Sequence, residues 1–358
     1  MKVIADKFIP FLQGRLEPLC SVEYIHPDEF TAESVRDADA LLIRTRTKCG
    51  APLLQGSRVQ MIATATIGMD QFDLPWCHSH GIATYNSPGC NAPGVAQWVY
   101  ASLLHIGEDL RGKTIGIIGH GHVGSIVAEW GRHLGARVLL NDPPKAKIKE
   151  KREERRDITD FDCEYLSLEE MLPQCDIVTL HTPLTREGEH ATWHLFGEKE
   201  AALCRPRTIL INAARGPVID SQAIARAPHL RLLTDVWEGE PRDLNADILR
   251  RSEVATFHIA GYSLQGKQRA TRMVLESLAR HFGLPIDTEA ASLTPGAPCI
   301  KVSDLPAPYR PVAALTADEI KASYNPLADT QALRANPAAF EHLRDHYNYR
   351  SEPPSTLR

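Results

Sequence analysis

Four apolar runs in the middle of the sequence end in polar residues of unlike chemistry. Asp176–Leu180 runs into His181-Thr182-Pro183, and Thr208–Ile211 runs into Asn212-Ala213-Ala214-Arg215-Gly216. Leu230–Thr234 runs into Asp235-Val236-Trp237-Glu238-Gly239-Glu240-Pro241, and Val254–Phe257 into His258-Ile259-Ala260-Gly261-Tyr262. An arginine can bind a carboxylate through two parallel N–H groups and polarise a reacting oxygen. A histidine near neutrality can take a hydroxyl proton. A carboxylate behind its ring orients the ring and favours its charged form. Any one of these residues alone reads more readily as a structural side chain. Arriving together at the tips of successive strands, they form the set that oxidation of a hydroxy acid needs.

A second constellation precedes them. Gly119-His120-Gly121-His122-Val123-Gly124 fits G-x-G-x-x-G, follows the apolar run Lys113–Gly119 and opens an amphipathic segment, Val123–Leu134, that stops at Gly135. The glycines permit a tight turn and the close approach of a pyrophosphate to a helix N-terminus. A further apolar run, Ala136–Asn141, ends at Asp142, whose carboxylate can accept hydrogen bonds from ribose hydroxyls and would repel a 2′-phosphate. NAD is therefore expected in preference to NADP. His120 and His122 fill the unconstrained positions of the motif and read as tolerated surface residues.

A third cluster is basic. In IRTRTK, Arg44, Arg46 and Lys48 lie two apart and gather positive charge at the tip of a strand, as a phosphorylated substrate requires. Thr45 and Thr66 add hydroxyls, and Gly68 lets backbone N–H groups come close to a carboxylate. Cys77, His78 and His80 imitate a metal site, but no further ligand pair stands at zinc spacing, so no metal is expected.

The elements that must hold these residues follow from the hydrophobic pattern. Lys2–Ala5, Ala40–Arg44, Gln60–Thr64 and Ile82–Tyr85 are short apolar runs bounded by turn residues, the rhythm of a parallel α/β layer. A breaker cluster at Pro88–Gly94 gives way to a long apolar helix, about Val95–Ile106, and then to the second set of buried strands. Two doubly wound parallel-sheet domains are expected: a flavodoxin-like substrate domain over 1–92, to which 266–287 returns, and a Rossmann NAD domain over 93–265. Lys145–Arg156 is a charge run that reads as a solvated loop. From 288 to 358 the chain turns proline-rich, then polar and helical, and reads as a small appended domain. There Asn336-Pro337 is expected to open a helix to about Tyr347, with Phe340, Leu343 and Tyr347 on one side toward the body or a partner. Arg344 and Arg350 either are solvated charges or reach a substrate phosphate from a neighbouring subunit.

The 358 residues carry 40 Lys plus Arg against 45 Asp plus Glu, a net charge of −5 that argues against a general nucleic-acid binder. No apolar run approaches the ~18 residues of a membrane span. The first residues lack the uninterrupted apolar stretch of a secretory signal. The eight cysteines form no C-x-x-C pair, so a reduced cytoplasmic setting is expected.

INAARGPVID, DVWEGEP and FHIAGYS resemble signature segments of the D-isomer-specific 2-hydroxyacid dehydrogenases, and the resemblance spans nearly the whole chain. It narrows through IRTRTK (43–48), ATATIGMDQFDL (63–74), NSPGCNAPGV (86–95), NDPP (141–144), HIAGYSLQGK (258–267) and YNPLADTQALRANPAAFEHLRDHYNYR (324–350). These segments point to members that oxidise a phosphorylated four-carbon hydroxy acid in vitamin B6 biosynthesis. The resemblance implies Arg215, Glu240 and His258 as the catalytic set, with NAD contacts at Asp142, Thr182, Ala213, Asp235 and Gly261. It also implies a homodimer, paired through the C-terminal domain. Tyr262 joins Arg44, Thr45, Arg46, Thr66 and Gly68 as a substrate-binding residue. Thr45 stands where some relatives have Ser, and Ala214 where Cys or Ser precedes the arginine; the tail is shorter than in some relatives. Two other readings stay open: a family member of phosphoglycerate or glyoxylate type, and a non-catalytic NAD-binding regulator.

Overall fold

Five strands, β1 (Lys2–Asp6), β2 (Ser21–Ile25), β3 (Ala40–Ile43), β4 (Met61–Thr64) and β5 (Ala83–Tyr85), pair in parallel in the order β2-β1-β3-β4-β5 in the computed structural model. The structure describes residues 1–154, 164–288, 298–312 and 315–357. This strand order is that of the flavodoxin-like doubly wound sheet. β3 and β4 are buried at every position, which is why they read as unbroken apolar runs. The helix Leu264–Phe282 covers one face. Ser263 caps it by accepting the Gly266 N–H (3.0 Å), and Gly283, at φ +66°, ends it. Its Ala270, Val274 and Leu278 recur every fourth residue and pack in the cluster that holds Val3, Leu42 and Met61.

Six further strands, β6 (Thr114–Ile118), β7 (Arg137–Asn141), β8 (Ile177–Leu180), β9 (Ile209–Asn212), β10 (Arg231–Thr234) and β11 (Ser252–Ala255), make a second parallel sheet ordered β11-β10-β9-β8-β6-β7. Tyr165 adds an isolated parallel bridge beside Leu140 of β7. The order reverses between β6 and β8, the switch point at which doubly wound sheets bind ligands. The same unit contains α1 (Ala92–His105) and α2 (His122–His133), the latter following the glycine turn.

The chain divides into Met1–Asn91 with Ser263–Tyr309, and Ala92–Tyr262 with Arg310–Arg358. The appended region thus forms no third compact unit. Its first part goes with one sheet and its last part with the other. In the second unit, α3 (Ala317–Ser323) and α4 (Pro326–Ala335) lie against α1, which is buried from Ala92 to Leu103. A helix covered on all sides must be apolar on all sides, which explains its composition. The tail also protects the sheet edge. Thr330 Oγ1 accepts the Ala255 N–H of β11 (3.0 Å), and Arg334 donates to the Ser252 carbonyl.

Several expectations change. β2 escapes the sequence reading because, as an edge strand with Ser21 and Glu23 exposed, it lacks a continuous apolar run. The charge run is helical over Pro143–Glu154 rather than a loop; its last two residues, 155 and 156, lie outside the described residues, as does Cys163. The Pro337 helix is a 3-10 turn, Pro337–Ala339, followed by a short α-helix, Phe340–Asp345, and the Asn336 side chain caps neither. Phe340, with Leu343 and Tyr347 beside it, packs into the core of its own chain, which settles where that apolar side goes.

Candidate active site

All six strands of the second sheet run in parallel, so their carboxyl ends share one edge. His258 and Glu240 meet there directly: His258 Nδ1 is hydrogen-bonded to Glu240 Oε1, while Glu240 Oε2 accepts the Trp237 N–H at 2.9 Å. Burial alone would raise the Glu240 carboxyl. The facing His258, its hydrogen bond, the Trp237 N–H and the nearby Arg344 outweigh burial and hold it below the usual carboxylate value. The carboxylate thus stays charged behind the ring. His258 Nε2 has no protein partner among the described residues and is left to meet a hydroxyl.

His258 has a left-handed backbone, φ +60°, which an L-residue adopts only when its neighbours impose it. Asp235 does much of this. Its backbone carbonyl accepts the His258 N–H (2.8 Å), and its buried carboxylate accepts the Thr256 hydroxyl (2.6 Å) and the N–H groups of Ile259 (2.8 Å) and Ala260 (2.9 Å). The sequence reading gave Asp235 to the cofactor; its carboxylate is spent mainly on the loop that carries His258.

Arg215 stands at the tip of β9. It donates one Nη1 hydrogen bond to the Ala214 carbonyl (2.8 Å), and its Nε and Nη2 have no partner among the described residues. A half-buried guanidinium with unspent parallel donors is suited to a carboxylate. Ala213 lies between Asn212 and Arg215 at the same tip. Asn212 fixes the turn by donating to the Arg215 carbonyl (3.0 Å) and accepting the Ala214 N–H (3.1 Å).

The glycine turn fits a dinucleotide. Gly119 has φ +91°, and a Cβ there would lie 2.7 Å from the His181 carbonyl oxygen. A Cβ on Gly124 would lie 2.0 Å from the Gly119 carbonyl oxygen, so this glycine allows the helix to approach its own turn. A Cβ on Gly121 would meet nothing within 4 Å. The fold gives no internal reason for that glycine, and a ligand's close approach does. Thr182 Oγ1, at the tip of β8, is buried without a partner among the described residues, as is His181 Nδ1. An unpaired buried hydroxyl costs free energy that a bound ligand can recover. Asp142 follows β7, its Oδ2 accepting the His120 N–H (2.9 Å) and its Oδ1 the Lys145 N–H (3.1 Å).

His120 departs from the surface role expected of it. It is buried, its Nδ1 is bonded to the Tyr165 hydroxyl (2.9 Å), and burial with the charges of Lys145 and Arg132, opposed by Asp142, pushes its pKa down to about 4. His122, the first residue of α2, is exposed as expected.

The candidate substrate residues of the first unit divide. Arg44 is not a loose cation: its Nε donates to the buried Asp6 (3.0 Å), and its guanidinium lies over Phe8. Thr45, Arg46 and Lys48 are exposed. Thr66 Oγ1 is hydrogen-bonded to Thr64 Oγ1 (2.7 Å), and Gly68 lies in the loop after it. Cys77 is buried and the His80 ring stacks on Trp76 (4.0 Å); among the described residues no three His, Cys, Asp or Glu are grouped to hold a metal.

In the second unit, Tyr262 follows Gly261 and its hydroxyl accepts from Arg344 Nε (3.0 Å). Arg350 is buried and spends its donors inside its own chain, so it is neither a solvated charge nor a phosphate ligand. Sequence reasoning gave no role to Trp237 N–H or Thr256, because a backbone donor and a strand-end threonine carry no signal in composition.

The family model for the NAD-binding domain of D-isomer-specific 2-hydroxyacid dehydrogenases matches residues 95–260. Erythronate-4-phosphate dehydrogenase of Porphyromonas gingivalis is 39% identical over 98% of this chain and 94% of its own length, and that of Bacteroides thetaiotaomicron 40% identical over 98% and 97%. Among solved structures, D-lactate dehydrogenase of Aquifex aeolicus, complexed with NAD and lactic acid, matches with a TM-score of 0.63 and 25% identity over 79% of this chain and 96% of that one. NAD-bound 3-phosphoglycerate dehydrogenase of Entamoeba histolytica shares the fold, with a TM-score of 0.62 and 23% identity over 79% and 95%. With His258, Glu240 and Arg215 at the tips of the matched domain, the chain belongs to the D-isomer-specific 2-hydroxyacid dehydrogenase family, in its erythronate-4-phosphate dehydrogenase branch.

Proposed function

We propose that this protein oxidises the C2 hydroxyl of 4-phospho-D-erythronate to the 2-oxo acid (R)-3-hydroxy-2-oxo-4-phosphonooxybutanoate, with NAD as the electron acceptor, in the biosynthesis of pyridoxal 5′-phosphate. The observation that carries this reading is the His258–Glu240 pair, its Nε2 open at the edge where the glycine turn and Arg215 also lie. Bound NAD supplies the hydride acceptor. Gly119, Gly121 and Gly124 are proposed to cradle its pyrophosphate and Asp142 its adenosine ribose, with Thr182, Ala213, Asp235 and Gly261 as further NAD contacts. Arg215 binds the substrate carboxylate and draws electron density from C2. His258 Nε2 takes the hydroxyl proton, and Glu240 balances the charge that appears on the ring. Thr45, Arg46, Thr66, Gly68 and Tyr262 are proposed substrate contacts. Arg44, whose Nε is held by Asp6, is proposed as a further substrate contact.

The relatives' names support the phosphorylated substrate. Pairing of two copies rests on the resemblance and a cytoplasmic location on the cysteine pattern; among the described residues no helix is long and apolar enough to cross a membrane.

The test is reduction of NAD by purified protein with 4-phospho-D-erythronate, D-erythronate or 3-phospho-D-glycerate, each with and without an added 2-oxo acid. Turnover confined to, or strongly favouring, the first acid supports the proposal; equal turnover of the dephosphorylated acid removes the phosphate from it. In His258→Ala, kcat falls by roughly two to four orders of magnitude while NAD still binds.

A further inference from the structure

The two residues that follow His258 have their backbone gripped from both sides. Their N–H groups, on Ile259 and Ala260, donate to the Asp235 carboxylate. Their carbonyls accept from a single guanidinium, that of Arg350 in the C-terminal tail: Nη1 donates to the Ile259 oxygen (2.9 Å) and Nη2 to the Ala260 oxygen. The same guanidinium donates through Nε to Gln97 Oε1 (2.9 Å) and through Nη2 to the Gly94 oxygen (3.0 Å). Nη1 also reaches the Tyr347 hydroxyl (3.3 Å) and the Tyr262 oxygen (3.4 Å), and the Tyr324 ring lies 4.2 Å away. A buried arginine is tolerated only when its donors are satisfied. Here they are, and half of the acceptors belong to the backbone that follows His258.

We propose that Arg350 is a positioning residue for the dehydrogenation: it fixes the 259–262 backbone and thereby holds the strained His258 in line with Glu240. The inference rests on the acid–base role proposed for His258. A left-handed residue keeps its conformation only while its surroundings over-determine it. Withdrawing the guanidinium leaves the Ile259 and Ala260 carbonyls without that donor, and the loop turns toward an ordinary φ, taking the imidazole off Glu240.

The full-length protein is assayed as Arg350→Lys, which keeps the charge and loses the fork, and as Arg350→Gly with and without added guanidinium. Arg350→Lys is expected to lower kcat by about ten- to a hundredfold, the penalty of a small misplacement, with KM and the NAD dissociation constant within about threefold of the parent. Its pH–rate profile shifts, because the Glu240 contact is loosened. Millimolar guanidinium restores activity to Arg350→Gly by about threefold or more and leaves the parent unchanged. A folded Arg350→Lys with kcat within about twofold of the parent and an unmoved pH profile overturns the proposal. Should the Arg350 variants not fold, Gln97→Met withdraws the Nε acceptor while keeping the arginine. The same split between kcat and NAD binding is then expected, and its absence overturns the proposal. A parent that turns over none of the acids refutes the proposed function instead, so the two failures are distinguishable.

Discussion

Glu240→Gln changes one charge and almost no volume. In the parent, one carboxylate oxygen faces His258 Nδ1 and the other accepts the Trp237 N–H at 2.9 Å, so the glutamine amide keeps one oxygen and turns a donor toward the second partner. Two unit charges in contact attract by about 4 kcal/mol at an effective dielectric of ~20, and less where water reaches the pair. Their side chains are 28% and 23% exposed, so water screens part of that attraction. The sign follows from which form of the ring the carboxylate stabilises. Without it the protonated imidazole is disfavoured, so the acid limb of kcat/KM for oxidation moves to lower pH. In the reverse reaction, which needs the protonated ring, the alkaline limb moves the same way. Loss of orientation lowers kcat by about ten- to a hundredfold as well. The assay is kcat/KM in both directions from about pH 5 to 9. A limb that stays within about 0.3 unit of the parent, or moves upward, refutes the account of Glu240.

The two glycines at the ends of the turn's last step part company. Gly124→Ala places a methyl on the Gly119 carbonyl and is expected to unfold or strongly destabilise the domain, whereas Gly121→Ala melts within about 2 °C of the parent yet loses roughly tenfold or more in NAD affinity, read by calorimetry. His120, held near pKa 4 against 6.5 in the open chain, must gain a proton on acid unfolding. Stability therefore falls as pH drops from about 6.5 to about 4, by up to roughly 3 kcal/mol, and thermal melts of His120→Gln show a flatter pH dependence. Deleting 310–358 uncovers α1 and the edge of β11, so the fragment is expected to aggregate on size-exclusion chromatography; a monodisperse fragment that binds NAD contradicts the packing described here.

The strands that position the site were legible because parallel strands buried on both faces leave continuous apolar runs, as at β6, β8 and β9. β2 was not, because an edge strand needs only one buried face. The partners His258 and Glu240 could be named from strand tips and resemblance, yet their contact depends on a loop whose constraints are long-range. Asp235 and Arg350 act through peptide groups, which have no sequence signature. The tail reads as polar and marginal because much of its hydrogen bonding goes to one helix and one loop of the body. Only the folded chain places Arg350 beneath His258. Arg44 illustrates the opposite limit: spacing marks a basic run but cannot show that Asp6, a strand residue far away in sequence, holds one member of it.

The central claim is that His258 removes a proton while the C2 hydrogen leaves as hydride. It is tested most directly with 4-phospho-D-erythronate carrying deuterium at C2, incubated with the protein and NAD and followed by mass spectrometry of both products. The account predicts one deuterium in the reduced nicotinamide for each 2-oxo acid formed, with turnover lowered by roughly two to four orders of magnitude in His258→Ala. Deuterium lost to water while the 2-oxo acid forms, with none in the reduced nicotinamide, contradicts it.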